Sequence, residues 1–459
     1  MKRYRLILVI ACLSLVCCKK GFLEIEPKSK LIARLTTDYD NLLNNVFLMN
    51  TYLEDMVPLS DDVAALDTYF NTAPFKVQQL FKWVSDPYID DQVDAQFVLV
   101  KQIYTFNKII NEVQGSLDGT AESKLAIQSE ARAGRAWCYL MLINFYGKPY
   151  NSTTAATDPG FPIITQANAA ATSFSRASVQ EVYDFIIKDL TESIPSIPLN
   201  PPARLRVSRA AGECILAKTY VFMGDFVKAQ SLFERALSHL PNSFAVKFYD
   251  LNVSTSQGSP ISNTESLLAR FSSNGYQNYE NTLLVTPKVA ALFSPSDKRL
   301  AYYTLDNTGD EPEFGPSKTL RRTGYSANTM WGITLPDIYL LMAECYARNG
   351  KLDKANEVLQ TFREKRMPAT VAAVNYTDKT ALIKLIIDER KKEFAVQGLR
   401  WFDMRRLSSD SIFAGENAVH YVYRADGTVV STYTMDAKRL TVRFSPQVMR
   451  LNPGMENNP

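Results

Sequence analysis

Histidine is almost missing from this chain: His239 and His420 are the only two in 459 residues, 181 positions apart. That excludes a His-x-x-x-His zinc helix and any mechanism built on paired imidazoles. Glycine is sparse as well, with 19 residues. None of it builds a phosphate-cradling loop or the G-x-S-x-G turn of a serine hydrolase, and no C-x-x-C pair occurs, so common nucleotide, nucleophile and redox chemistry has no carrier. No apolar run approaches the about 20 residues that cross a bilayer as a helix; the one near the start, Leu6 to Val16, has eleven. An excess of one charge is missing too. Lys and Arg total 51 against 48 Asp and Glu, and without Lys2, Arg3 and Arg5 the balance is 48 against 48. A neutral chain has no overall field to draw in a phosphate backbone, so no nucleic-acid partner is expected.

What is present begins with a secretion signal. A basic start and a short apolar stretch lead into Leu15-Val16-Cys17-Cys18-Lys19-Lys20, the pattern of a bacterial lipoprotein processing site. Residues 1–17 are expected to be removed and Cys18 to carry lipid, which would hold a soluble body to a membrane through buried methylenes. Cys138, Cys214 and Cys345 then remain. Three scattered cysteines make no disulfide framework, and each lies in a helical pattern where a free thiol acts as a small buried hydrophobe.

Apolar residues at spacings of three and four predict helices over 95–113, 125–146, 179–194, 209–240, 336–366 and 380–407. Ser178-Val179-Gln180-Glu181 reads as a capping box, and Ser208 is placed to cap the next helix. Ala217, Tyr220, Gly224, Lys228 and Ala229 recur at the same spacing as Ala343, Tyr346, Gly350, Lys354 and Ala355. This is the pattern of tetratricopeptide-type helical pairs, in which Gly ends one helix and small Ala lets the next approach. The expected class is mainly α, with such pairs packed against a loop-rich subregion and a few short strands. A helical scaffold is assigned to about 95–240 and 335–407, and loop-rich ligand regions to about 53–94 and 241–334. Alternation around Asp426-Gly427 predicts a hairpin within 421–444.

On a helix from Leu382 to Gln397, Arg390 and Glu393 fall on the apolar arc. Buried charges must be paired, so these two are expected to be partners in a network that can include Arg400 and Asp403. The same stretch, Asp388-Glu389-Arg390-Lys391-Lys392-Glu393-Phe394-Ala395 followed by Gly398 and Arg400-Trp401-Phe402-Asp403-Met404-Arg405-Arg406, resembles the C-terminal signature of the SusD/RagB family of outer-membrane nutrient-binding lipoproteins. Cys18-Lys19-Lys20-Gly21-Phe22-Leu23 is similar to the family's mature start, and Ser445 to Pro459 to its terminus. Leu399 and Thr334 depart from the family's usual residues at their positions.

The resemblance implies a single SusD-like domain over 18–459, lipid-anchored on the outer membrane and facing outward. It implies capture of an oligosaccharide or polysaccharide and delivery to a TonB-dependent SusC-like transporter, with no cofactor, no metal and no catalysis. A peptide ligand as in the RagB branch, a ligand-free scaffold of the transporter, and a glycoside hydrolase using two carboxylates about 5–9.5 Å apart are the alternatives. Sugar rings pack their C–H faces on aromatics, and their hydroxyls need planar polar partners. Trp83, Tyr88, Tyr276, Tyr279 and Trp331 are therefore the candidate stacking residues, with Asp61 and Asp62 as hydroxyl acceptors. Asp306 to Glu311 fails the spacing of a calcium loop.

Overall fold

The computed structural model describes residues 33–89, 94–272, 282–304, 321–322, 329–424 and 426–459. The signal, Cys18, the chain start that follows it, Tyr276, Tyr279 and Asp306 to Glu311 lie outside these residues. Ten described helices have eight or more residues: α1 Thr36–Leu43, α2 Phe97–Glu112, α3 Ala121–Tyr146, α4 Val179–Ser193, α5 Arg209–Met223, α6 Phe226–Ser238, α7 Leu335–Arg348, α8 Leu352–Arg363, α9 Lys379–Glu393 and α10 Arg400–Leu407. None of the described helices is long and apolar enough to cross a membrane.

Caps set where these helices start. Ser178 Oγ accepts the Glu181 amide at 3.2 Å while the Glu181 carboxylate accepts the Ser178 amide at 2.7 Å, the expected box. Ser208 Oγ accepts the Ala211 amide, and Asp378 caps α9 through Ala381. α3 is 26 residues long, about 39 Å at 1.5 Å per residue. It is buried on nearly every side from Ala131 onward, as an axial helix must be when others surround it. α2 and α4 pack on it, α5 pairs with α6, α7 with α8, and α7 joins the pairs by touching α6 and α9.

The two repeat copies are helical pairs. Gly224 and Gly350 end α5 and α7 at φ +81° and +77°. In both, the following amide donates to the Tyr five residues back, Asp225 to Tyr220 and Lys351 to Tyr346. Ala217, Ala229, Ala343 and Ala355 are fully buried. The three described cysteines are free and buried, and burial pushes the Cys138 thiol up to about 12, so it stays protonated and inert.

One sheet matters for the site. Its four strands are β1 Val63–Leu66, β2 Leu283–Val285, β3 Val419–Tyr423 and β4 Val429–Thr434, in the order β4-β3-β1-β2. β1 runs parallel to β3, with Ala65 beside Val422, and antiparallel to β2. β3 and β4 form the expected hairpin, with Gly427 at φ +83°. His420 and Val422 point into a second core that also holds Val57, Phe70, Phe81 and Val396. Tyr421 and Tyr423, on the opposite face, stay half-buried.

Three expectations need correction. The 380–407 pattern is two helices: the chain leaves α9 after Glu393 and turns through Val396 at φ +58° and Gly398 at φ +81° before α10. A Cβ on Gly398 would stand 2.8 Å from the Trp331 ring and 3.0 Å from the Val57 amide nitrogen, so space and backbone both demand glycine here. The 53–94 stretch is no open loop region. It carries β1 and the short helices Met56–Leu59, Asp67–Phe70 and Phe75–Phe81, whose apolar residues are mostly buried. Finally, Arg390 and Glu393 share a face but not a bond. Arg390 donates to Asp403 and Asp337, both at 2.8 Å, and Glu393 accepts from Arg366 at 2.8 Å.

Candidate binding cleft

The signature residues hold the C-terminal helices onto the bundle. Trp401 is fully buried and its indole N–H donates to Asn144 O of α3. Asp403 accepts from Arg390 and from Arg406, each at 2.8 Å. Burial works against its ionisation, yet the two guanidiniums overcome it and hold the carboxyl far below the usual range. A second network lies deeper on α9. Glu389 accepts from Arg299 at 2.8 Å, Lys392 at 2.7 Å and also Arg363. Burial again opposes the charge, and the three cations prevail, bringing Glu389 down to about 2. A carboxylate held so low gives no proton at neutral pH, which removes it as a general acid.

A cleft of about 720 Å³ opens where the sheet meets α9 and α10. β1 and β3 begin at this end and β2 and β4 finish there. The residues just outside each strand therefore line it: Asp61 before β1, Thr286 to Leu292 after β2, Phe413 to Ala418 before β3 and Met435 to Leu440 after β4. The opposite wall carries Asp388 and Lys391 of α9 with Arg400, Met404 and Leu407 of α10. Its volume is that of an ordinary small-molecule site.

Its polar groups come as neutral pairs. Arg400 grips Asp61 with two bonds, Nε to Oδ1 at 2.6 Å and Nη2 to Oδ2 at 2.9 Å. Burial opposes the Asp61 charge, but Arg400 wins and lowers its pKa. Lys391 donates to Asp388 at 3.0 Å. Lys288, Glu416 and Asn417 are exposed at the mouth, and Val289, Leu292, Phe413 and Met435 supply apolar wall. Planar carboxylate, guanidinium and amide groups beside apolar patches suit an uncharged ligand that has both hydroxyls and C–H faces.

Of the candidate ligand residues among those described, Asp61 alone lies at this cleft, beside the signature residue Arg400. Asp62 does not: its side chain is fully buried, with Oδ2 accepting the Val396 amide, and burial together with Asp61 pushes its carboxyl up to about 7. Trp83 is 5% exposed, donates from Nε1 to Leu59 O and stacks on His420. Tyr88 is buried and donates to Arg443 O. Trp331 is 2% exposed, and its N–H donates to Ser272 Oγ. These three rings are core, each with its one polar atom satisfied, and they offer no stacking surface.

The missed aromatics are Tyr421 and Tyr423 on the outer face of β3. Their rings lie 5.9 Å apart, and Tyr423 packs with Tyr69 over Leu66 and Leu284. Tyr421 is three residues beyond cleft-lining Ala418, about 10 Å at strand rise. The signal was in the alternation: residues i and i+2 of Val419–Tyr423 share a face, opposite to buried His420 and Val422.

Residues 21–221 match a SusD-like family described as starch-binding and associating with the outer membrane, and residues 247–459 match the SusD family. The chain belongs to the SusD/RagB family. SusD-like protein P2 of Formosa agariphila is 23% identical over 420 residues, covering 78% of each chain. A SusD superfamily protein of Bacteroides thetaiotaomicron superposes with a TM-score of 0.74 at 17% identity, over 93% of this chain and all of its own. A SusD-like carbohydrate-binding protein of Bacteroides vulgatus gives 0.64 at 19% identity, over 85% and 86%. At such identities the likeness is one of fold.

Proposed function

We propose that this protein captures a carbohydrate at the cell surface, held to the outer membrane through lipid on Cys18, and passes it uncleaved to a TonB-dependent SusC-like transporter. The observation that carries this reading is the cleft at the sheet end, in a chain of the SusD/RagB family with a fold neighbour described as carbohydrate-binding. Asp61 and Arg400 offer a fixed acceptor and donor plane for hydroxyls, Asn417 adds an amide, and Phe413 with Met435 gives apolar wall. Tyr421 and Tyr423 extend the surface for further rings of a polymer, each ring packing by its C–H face. Binding of this kind needs no net charge, which agrees with the neutral balance of the mature chain.

The test is a binding screen of the chain lacking residues 1–18 against a polysaccharide panel and a peptide digest, with product detection. Retention of one polymer without cleavage is expected. Cleavage would overturn the non-catalytic reading, retention of peptides alone would replace the ligand class, and no retention at all would leave a transporter scaffold. For the anchor, Cys18→Ala is expected to release the protein from membranes; retention through a carbonate wash would refute it.

A further inference from the structure

His420 stands on β3 directly behind the cleft, and its ring is fully buried. Nδ1 lies 2.7 Å from Phe81 O and Nε2 lies 2.7 Å from Ser60 O. Both partners are carbonyls, which only accept. A neutral imidazole has one N–H and one lone pair, so it can serve one of them and would press its lone pair on the other. Turning the ring over does not help, because carbon would then stand at 2.7 Å from oxygen, well inside the distance of a C–H contact. Only the imidazolium donates to both. Among the described residues neither carbonyl has another donor, so each depends on this ring.

The ring's faces point the same way. Trp83 stacks on it at 3.7 Å and 14°, and Phe81 at 4.2 Å and 15°, so aromatic π-density covers both sides, which favours a cation. Of the charged groups around it, Asp61, which precedes β1, favours the imidazolium; Arg400 of α10 and Lys391 of α9 lower the Asp61 carboxyl, and Asp62 is itself raised to about 7. Lys82, at the end of the helix that carries Phe81, lies over Phe70 instead, and the β4 residue paired with His420 is Tyr433. Desolvation works in the other direction and brings the ring down to about 4 where it prevails, while the two carbonyls and Asp61 raise it. The hydrogen-bond geometry decides between them.

We propose that His420 is held as an imidazolium and acts as a positioning residue, pinning Ser60 and therefore Asp61 at the cleft, so that ligand binding there depends on the His420 proton. Only the last clause rests on the proposed function. As pH rises, the ring loses one N–H and one carbonyl loses its donor, and the segment that presents Asp61 loosens. The sign follows. A folded-state pKa above the ordinary 6.5 gives stabilisation that is complete below 6.5 and lost as pH climbs through the folded value. A folded pKa near 4 would give the opposite slope, stability gained between 4 and 6.5.

With two histidines in the chain, His239→Gln leaves His420 as the single imidazole, visible by ¹⁵N-histidine NMR of the mature protein. At pH 7 two slowly exchanging ring N–H protons are expected, one on each nitrogen. One N–H and one bare nitrogen would overturn the proposal, whatever the ligand is. In urea titrations, the advantage of wild type over His420→Gln should shrink as pH rises above 6.5; an advantage that grows from pH 4 to 6.5 would also overturn it. Affinity for the polysaccharide found in the screen should fall at least threefold from pH 6 to 9 in wild type. A flat profile beside a doubly protonated ring would remove the positioning role. A chain that binds no polysaccharide would remove the capture reading, and the NMR result would still decide the ring.

Discussion

Two buried charge clusters lie on either side of α9, and they differ in how fully they are satisfied. Beneath the helix, Glu389 holds three cations, Arg299 reaches Asp297, Glu389 and Glu393, and Arg366 binds Glu265 and Glu393. At the sheet end, Asp62 Oδ1 and Arg400 Nη1 are buried with no hydrogen-bond partner among the described residues. Burial is alike in the two; saturation is not. A saturated network has one arrangement and resists change, whereas unmet donors and acceptors leave a region able to respond to a proton or a ligand. The first cluster joins α8 and α9 to the 249–299 region. The second sits against the cleft.

Breaking the saturated side should give the largest effect. Glu389→Ala takes the carboxylate from Lys392 and Arg363, while Arg299 keeps Asp297 and Glu393; leaving the buried Lys392 without its close partner costs about 3–5 kcal/mol, read as a lower urea midpoint. Ligand affinity of the fraction that stays folded should not change. The pH dependence follows from a depressed carboxyl: the stabilisation is present above the ordinary 4.5 and is lost as pH falls through about 2. Wild type should therefore lose its advantage over the variant in strong acid. A midpoint that does not move would place Glu389 outside the core network.

Trp331→Phe comes next. It removes one hydrogen bond to buried Ser272 Oγ, which keeps Thr51 Oγ1 at 2.9 Å, and shrinks a buried ring, at a combined cost of about 1–3 kcal/mol, with affinity unchanged. Weaker binding at full stability would return Trp331 to the ligand surface and erase the contrast between core and cleft. Asp61→Asn tests the other side. Arg400 keeps a neutral acceptor, so stability should fall by about 1–2 kcal/mol, while polysaccharide retention falls at least tenfold. Equal effects on folding and on binding would make Asp61 a structural partner only.

These outcomes also mark what local sequence can carry. The α4 capping box, the ends of the repeat helices and the hairpin are set by residues a few positions apart, and all three were legible. The partners of α9 were not. Arg299 reaches Glu389 and Glu393, and Arg366 reaches Glu393 while also holding Glu265, all from outside the helix, and nothing in the helix names them. Spacing put Arg390 and Glu393 on one face, but α7 and α10 supply the aspartates on one side of α9 and Arg366 the guanidinium on the other. Gly398 was visible as a family residue and not as a break, because the apolar periodicity continues through it. Trp83 and Trp331 lie in Ser-, Asn- and Asp-rich surroundings that suggest an open loop, yet a large ring is buried by what packs on it from elsewhere. The half-exposed tyrosines required the opposite inference: an alternating strand shows two faces, and the one without His420 and Val422 had to be the open one.

The smallest change in stability is expected where the contrast is finest, on the outer face of β3. Tyr421→Ala removes a half-buried ring that covers no charge, so unfolding free energy should shift by about 0.5 kcal/mol or less. Binding should respond more. One ring packed on one sugar face contributes about 0.5–1.5 kcal/mol, a loss of about two- to twelvefold in affinity. A long polymer should be affected and a short oligosaccharide confined to the cleft should not, because Tyr421 lies about 10 Å beyond the cleft wall. Equal losses for both lengths would place the first sugar on the tyrosines instead of in the cleft. No loss for either would confine recognition to the sheet end, where the ligand meets the Asp61–Arg400 pair.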